Sequence, residues 1–270
     1  MHQVRRPPES RARTFYIARV SFEVSADAYD RFMGRYSIQL SPQLADLAEV
    51  APGQTALDVG CGPGALTGEL VQRLGASGVL AVDPSKPFVE TARSRFPGVV
   101  VEQASADSLP FEDQVFDRTL AQLVVHFMPD PIAGLSEMKR VTKSGGVVAA
   151  CVWDFGGDRA AVSPLWQAAR QLDQNVDDES DYPGTRAGHL GDLFRAAGLR
   201  DIKETELAAS VSYSTFEDWW EPFTFGVGPS GAYVSKLDPE QKDRLRDIAR
   251  SQLGETLTIV ATAWAARGAA

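Results

Sequence analysis

The stretch Leu57-Asp58-Val59-Gly60-Cys61-Gly62-Pro63-Gly64-Ala65-Leu66-Thr67 decides the fold. The apolar run 55–59 reads as a buried strand, the alternating glycines as a tight turn, and 65–74 as a helix that starts at once. Glycine takes positive φ and lets a ligand approach the backbone closely. The first turn of a helix leaves N–H groups unpaired, which suits a carboxylate or a phosphate. The expectation is a nucleotide-type cofactor over the carboxyl end of a first strand.

Outward from that turn, strands and helices alternate. Apolar runs at 78–82 (closed by Asp83), 99–103, from 116, and 147–152 read as strands. Segments 87–95 and 131–141 read as helices, and Lys143-Ser144-Gly145-Gly146 as a turn. Strands separated by helices imply parallel βαβ units, and strands apolar throughout imply a sheet covered on both faces. Upstream, Ala28, Phe32, Tyr36, Leu40, Leu44 and Leu47 recur at three- or four-residue spacing, a helical period. Ser41-Pro42 reads as the start of a second helix there. Residues 155–184 read as a polar, acidic insertion with a helix near 164–173, either a solvated loop or a lid. Then come a helix over 189–197, a strand over 202–213, an aromatic segment over 215–225, a charged helix over 239–253 and a last strand over 256–265. The chain divides into a tail at 1–20 and a single domain at 21–270. Residues 24–50, 155–185 and 214–254 are expected to roof the ligand site at the ends of the strands.

The 270 residues carry a net charge of −9, which opposes general affinity for nucleic-acid backbones. Two cysteines, Cys61 and Cys151, form no metal pattern and no disulfide framework, so buried thiols in a reducing compartment are expected. No apolar run approaches a membrane span, and the basic N-terminus lacks the apolar core of a secretory signal. A cytoplasmic protein, monomeric or homodimeric, is the expectation.

The glycine turn alone leaves the cofactor open. Gly60-x-Gly62-x-x-Ala65 satisfies a loose dinucleotide fingerprint, and Asp83 stands where an acidic residue would hold a ribose hydroxyl. Two features oppose a pyrophosphate: Pro63 removes an N–H donor, and Asp58 adds negative charge. A cationic, amine-bearing ligand would welcome Asp58.

At this point the sequence resembles the class I S-adenosylmethionine (SAM)-dependent methyltransferases, in particular the small-molecule branch that includes the ubiquinone/menaquinone-biosynthesis type. Residues 57–64 look like the family's first motif. Ala81-Val82-Asp83-Pro84-Ser85 looks like the second, whose acidic residue holds the ribose hydroxyls. Ala104-Ser105-Ala106-Asp107-Ser108-Leu109-Pro110-Phe111 is similar to the adenine-contacting segment. Phe116-Asp117 with 122–130 resembles the fourth motif, and Arg140-Val141 with 143–146 the turn before strand five.

The resemblance implies a Rossmann-like, doubly wound α/β fold. Its seven-stranded sheet has order 3-2-1-4-5-7-6, with strand 7 antiparallel. It implies SAM as cofactor, held by Asp58, Gly60, Cys61, Gly62, Gly64, Asp83, Pro84, Ser85, Ser105, Ala106, Asp107, Gln122 and Leu123. Where family members often carry an acidic residue before the alanine of the adenine segment, this chain has Ser105. Either Ser105 or Asp107 accepts from the adenine amine. Tyr29, Met33 and Arg35 on the N-terminal helix would close the site, with Arg35 near the cofactor carboxylate. His126 and Tyr29 are the candidate catalytic groups, His126 as base. Trp153, Asp154 and the Trp219-Trp220 cluster are candidate walls of an acceptor pocket. The expected reaction is in-line methyl transfer to a small or lipid-like acceptor. The alternatives are a SAM-binding protein without transferase activity and an NAD(P)-dependent oxidoreductase. Nucleic-acid methylation is disfavoured, because Ala121-Gln122-Leu123-Val124 replaces the Asn/Asp-Pro-Pro-Tyr-like element of the amino-group type.

Overall fold

The alternation of apolar strands and helices builds one seven-stranded sheet. The computed structural model describes residues 26–254 and 257–270. The expected tail at 1–20, the first two residues of the 24–50 segment and Thr256 lie outside them. The strands are β1 (Ala56–Val59), β2 (Val79–Asp83), β3 (Val100–Gln103), β4 (Phe116–Gln122), β5 (Thr142–Trp153), β6 (Arg200–Tyr213) and β7 (Leu257–Ala269). Their order is β3-β2-β1-β4-β5-β7-β6. β1 pairs in parallel with β2 and β4, β2 with β3, and β4 with β5, while β7 runs antiparallel to β5 and β6. Order and polarity are those expected.

The N-terminal segment is one helical run rather than two helices. α1 (Ala26–Tyr29) passes through a π-helical turn (Asp30–Gly34) into α2 (Arg35–Leu47). Pro42 sits inside α2. The carbonyl it cannot bond belongs to Ile38, an exposed residue. The Ser37 and Ser41 hydroxyls donate to the carbonyls of Met33 and Ser37, and Arg73 donates to the Pro42 carbonyl. The turn residues are thus satisfied within a continuous helix.

α3 (Ala65–Leu74), α4 (Lys86–Arg95) and α5 (Pro131–Val141) cross between the parallel strands. β1 is buried along its whole length, as a strand covered on both faces must be. The strand order reverses between β1 and β4. Open α/β sheets bind ligands beyond the carboxyl ends of their strands at such a point. The expected turn at Lys143–Gly146 is absorbed into β5. Phe116 pairs with Thr142, Arg118 with Val147, and the register shift between them accommodates the extra residues.

The 155–185 segment is not a solvated loop. It carries α6 (Ser163–Leu172) and buries Glu179 and Thr185. Next in the chain is α7 (His189–Ala196). α8 (Phe216–Trp220), α9 (Gly228–Lys236) and α10 (Pro239–Leu253) precede β7. α9 went unread in the sequence because Gly228-Pro229 and Gly231 look like loop. Gly231 is required by packing: a Cβ there would lie 2.7 Å from the Gly226 carbonyl carbon. No helix among the described residues is long and apolar enough to cross a membrane.

Candidate active site

The glycine turn sits at the carboxyl end of β1 and folds back on β2. The N–H groups of Gly60 and Cys61 both donate to the Val82 carbonyl, at 2.8 and 2.9 Å. Gly60 (φ 73°) and Gly64 (φ 105°) adopt left-handed backbone under close neighbours. A Cβ on Gly60 would lie 2.5 Å from Val124 Cγ2, and one on Gly64 2.3 Å from Phe96 Cε2. Gly62 differs. Its φ is 53°, and nothing lies within 4 Å of its Cβ position. α3 begins directly after the turn without a side-chain cap.

Two buried carboxylates frame this turn. Asp83 Oδ2 accepts from the Gly62 N–H and Oδ1 from the Ser85 N–H, each at 2.8 Å. Asp58 Oδ2 accepts from Thr67 at 2.6 Å, while the buried Asp58 Oδ1 finds no partner among the described residues. Burial pushes the Asp58 pKa up to about 7, and the Asp83 charge raises it further against the Thr67 bonds. Burial likewise lifts Asp83 to about 6, opposed by its two backbone bonds. A site holding two costly carboxylates, one with an idle oxygen, is built for a cation.

Tyr29 leans over the turn from the N-terminal helix. Its ring meets Phe88 edge-on at 5.3 Å. Burial lifts its hydroxyl to about 12, with Asp83 and Asp58 adding to the rise and Ser37 opposing it. Arg95 was missed in the sequence because it ends α4, far from any motif. It donates to the Pro63 carbonyl at 3.3 Å and pairs with Asp30 at 2.5 Å. Arg35, in contrast, does not turn toward the glycine turn. Its guanidinium lies over the Tyr213 ring, 5.3 Å from the centroid.

Beyond β4, Gln122 donates to the Ser37 carbonyl at 3.1 Å, so the end of this strand is tied to α2. Its buried Oε1 has no partner among the described residues. Leu123 takes a left-handed φ of 61° and donates to the Cys151 carbonyl at 2.8 Å. Non-glycine residues in that region persist where the surroundings impose them. In the 104–111 segment Ala106 is buried, while Ser105 and Asp107 are both exposed at the rim. Pro84 is exposed and Ser85 buried.

His126 is sealed. Its ring packs on Phe127 at 4.0 Å and on Phe155 at 5.8 Å, and its Nδ1 has no partner among the described residues. Burial alone drives its pKa down to about 3. Asp154 is buried against Arg159 at 2.5 Å and the Gly157 N–H at 2.8 Å, so it is spent on the turn after β5. Both cysteines are buried thiols, and burial pushes both pKa values up, Cys151 to about 12.

On the other side of the N-terminal helix lies a small, mostly apolar cavity of about 10 Å³. Phe32, Met33, Tyr36, Val162, Trp219 and Phe223 are among its walls. Met33 therefore faces this cavity. Trp219 lines it, whereas Trp220 stacks on Phe216 at 6.3 Å. Trp153 closes the carboxyl end of β5 against Tyr36, at 6.0 Å between ring centroids.

A family model described as "Methyltransferase domain" matches residues 57–150, the span from the glycine turn to the middle of β5. The demethylmenaquinone methyltransferase of Lysinibacillus sphaericus is 33% identical over 67% of this chain and 86% of its own length. The chain is a class I SAM-dependent methyltransferase. Among other relatives, a 37.1 kDa protein of transposon TN4556 in Streptomyces fradiae is 38% identical over 58% of this chain, which spans 46% of that protein's length. The fold is shared with Haemonchus contortus phosphoethanolamine N-methyltransferase 2, solved with phosphomonomethylethanolamine and S-adenosylhomocysteine. That likeness has TM-score 0.59 at 17% identity and covers 94% of this chain and 59% of the other.

The residues present fit SAM. The idle Asp58 oxygen suits an ammonium, the open space at Gly62 suits close approach, and the uncapped start of α3 suits a carboxylate. When bound, SAM supplies a methyl group on a sulfonium that is already activated for displacement. The protein's share of the work is then alignment and exclusion of water, and holding two reactants in line contributes about 7–11 kcal/mol in favourable cases.

Proposed function

We propose that this methyltransferase moves the methyl group of SAM to a small-molecule or lipid-like acceptor by in-line displacement. The observation that carries the reading is the mostly apolar cavity lined by Phe32, Met33, Tyr36, Val162, Trp219 and Phe223. The N-terminal helix separates it from the cofactor cradle, with Tyr29 on the carboxylate side and Tyr36 on the cavity side. An apolar recess suits a small or lipid-like acceptor, and a net charge of −9 opposes a nucleic-acid strand, whose binding needs a cationic groove.

In this reading Asp58 takes the cofactor's ammonium, and the turn from Gly60 to Gly64 with Cys61 forms the floor beneath it. Asp83 takes the ribose hydroxyls at the strand end it shares with Pro84 and Ser85. Ser105, Ala106 and Asp107 border the adenine, and the exposure of both Ser105 and Asp107 leaves either able to accept from its amine. Gln122 and Leu123 form the wall after β4. Tyr29 closes the helix over the cofactor, while Met33 faces the cavity on the other side. Arg35 holds the helix to β6 through Tyr213. The role assigned to His126 is structural, because an imidazole with a pKa near 3 has little affinity for a proton at neutral pH. Tyr29, held protonated, contributes a hydrogen-bond donor. The 33% identity to a demethylmenaquinone methyltransferase supports an acceptor with a large apolar body.

Incubation with methyl-labelled SAM and either a metabolite extract, bulk RNA or bulk protein tests the proposal. Label is expected in the organic-extractable small-molecule fraction. Label confined to RNA or protein would refute it.

A further inference from the structure

The cavity's polar feature is built from residues far apart in sequence. Tyr36 of α2 and Tyr213 at the end of β6 place their hydroxyl oxygens 3.0 Å apart, buried. Both tyrosines line the cavity. In such a pair one hydroxyl donates to the other, which leaves one O–H and the remaining lone pairs unspent. Burial pushes both hydroxyls above their ordinary pKa, so the pair stays neutral and protonated. Beside it, Trp153 keeps a buried indole N–H with no partner among the described residues. The other walls, Phe32, Met33, Val162, Trp219 and Phe223 among them, are apolar.

The geometry points to the Tyr36–Tyr213 pair as the recognition element for a neutral oxygen, a hydroxyl or a carbonyl, on an otherwise apolar acceptor. This rests on the reading of the cavity as the acceptor site. A neutral pair can both donate to and accept from such an oxygen. A carboxylate or phosphate is disfavoured, because no charged side chain among the described residues lines the cavity, and an unpaired buried charge is costly. Arg35, beside the pair, is exposed and lies over the ring face of Tyr213. A quaternary or primary ammonium would meet aromatic faces but no carboxylate.

The cavity as it stands has room for about one water molecule. Admission of an acceptor therefore displaces a wall. One wall is the segment of α8 and the turn after it, which buries Phe216, Trp219, Trp220 and Phe223. Its surface ties include ion pairs between exposed or half-exposed side chains, Arg31 with Glu221 and Arg246 and Arg250 with Glu217. Pairs of this kind hold an element in place by little. Trp219 and Phe223 lie on that segment and face inward.

The test uses the full chain loaded with S-adenosylhomocysteine and three aromatic probes of one shape, titrated calorimetrically: 2-naphthol, 2-methylnaphthalene and 2-naphthoate. 2-Naphthol is expected to bind the wild type best. Tyr213→Phe and Tyr36→Phe should each weaken 2-naphthol about five- to ten-fold, the scale of one net hydrogen bond. Both should leave 2-methylnaphthalene within about two-fold, which also shows that the variants keep the fold of the cavity. S-adenosylhomocysteine affinity should be unchanged. Equal affinity of 2-naphthol for wild type and both variants would overturn the proposal, as would tighter binding of 2-naphthoate, or no binding of 2-naphthol to loaded protein. If the wild type fails to bind S-adenosylhomocysteine, the cofactor reading fails first, and separately.

Discussion

Affinity for the cofactor should rise with pH, and Asp58 sets the magnitude. In the free protein burial holds this carboxyl at about 7, well above the usual carboxylate range. An ammonium placed against its idle Oδ1 favours the ionised form and draws the pKa down in the complex. Binding then releases a proton wherever the free protein still carries one. At pH 5.5 about one free molecule in thirty has Asp58 ionised, and at pH 7.5 about three in four, so the apparent affinity rises by about 25-fold, or about 1.9 kcal/mol. Asp83, with a pKa near 6, adds a smaller slope at the acid end. The sign comes from protonation: as pH falls through 7, the carboxylate that receives the cation is neutralised and binding weakens. Isothermal titration of S-adenosylhomocysteine at pH 5.5, 6.5 and 7.5 measures this. Paired buffers of different ionisation enthalpy should show about 0.8 proton released per site at pH 6.5. Asp58→Asn should remove most of the slope and weaken binding at pH 7.5 by at least about ten-fold. A flat profile in the wild type, or an undiminished affinity in the variant, would refute the assignment of Asp58 to the ammonium.

The glycines of the turn should separate folding from binding. Gly60→Ala drives a Cβ to 2.5 Å from Val124 at positive φ and should lower thermal stability sharply. Gly62→Ala meets no neighbour and should cost only about 1–2 kcal/mol for its left-handed backbone, yet abolish measurable S-adenosylhomocysteine binding. Thermal melts with and without the ligand read both effects. Asp83→Ala leaves the N–H groups of Gly62 and Ser85 without their acceptor. It should cost roughly 1–3 kcal/mol for each buried donor in denaturant unfolding, besides weakening the cofactor; full stability with lost binding would mean these bonds are readily replaced. His126 should show no imidazole titration by NMR between pH 5 and 8, and a midpoint near 6.5 would contradict its sealed environment. Glu179 is buried, accepts from Trp166 Nε1 at 2.9 Å and is lifted to about 8 by burial. A carboxyl raised in the folded state adds stability at low pH that is lost as pH rises through its folded value. Glu179→Gln should therefore match the wild type near pH 4.5 and exceed it at pH 8.5 in unfolding free energy.

The parts of the site that were legible in the sequence are those whose causes are local. Gly60, Gly62 and Gly64 announce a turn because few other residues take its backbone angles, and Asp83 comes at the distance one βα unit imposes. Parallel βαβ units were legible because apolar runs, helices and glycines alternate without interruption from 55 to 152, whereas the strand order came from the resemblance to the methyltransferase family. Illegible features come from long-range contacts. Tyr213 and Tyr36 meet across 177 residues, and no local pattern forecasts which face of β6 is covered by which helix. Arg35, expected over the cofactor, turns to an aromatic ring, while Arg95 at the end of α4, which no motif marks, reaches Asp30 and Pro63. Pro42 misled because the one carbonyl it leaves unbonded, that of Ile38, belongs to an exposed residue, so the helix continues through it. Glu179 looked like one more acid in a solvated loop, and only the packing of α6 shows it buried against Trp166.

The N-terminal helix explains why cofactor and acceptor chemistry can be read with such different ease. Along one side Tyr29 faces two carboxylates and Phe88, a surface fixed by the turn motif. Along the other, Phe32 and Tyr36 pack on Phe223 and Trp153, residues drawn from segments with no motif. Between them the helix passes through a π turn at Asp30–Gly34, a geometry that proteins keep mainly where a function requires it. The extra residue in that turn rotates α2 relative to α1, so that Tyr29 and Tyr36, two helical turns apart in sequence, need not share a face. Ser37 joins the halves, because its carbonyl holds Gln122 at the end of β4. A single helix thus lies between the cofactor cradle and the cavity. The cradle is dictated by the sheet and its glycines, whereas the cavity is dictated by whatever the later segments bring to the opposite side of that helix.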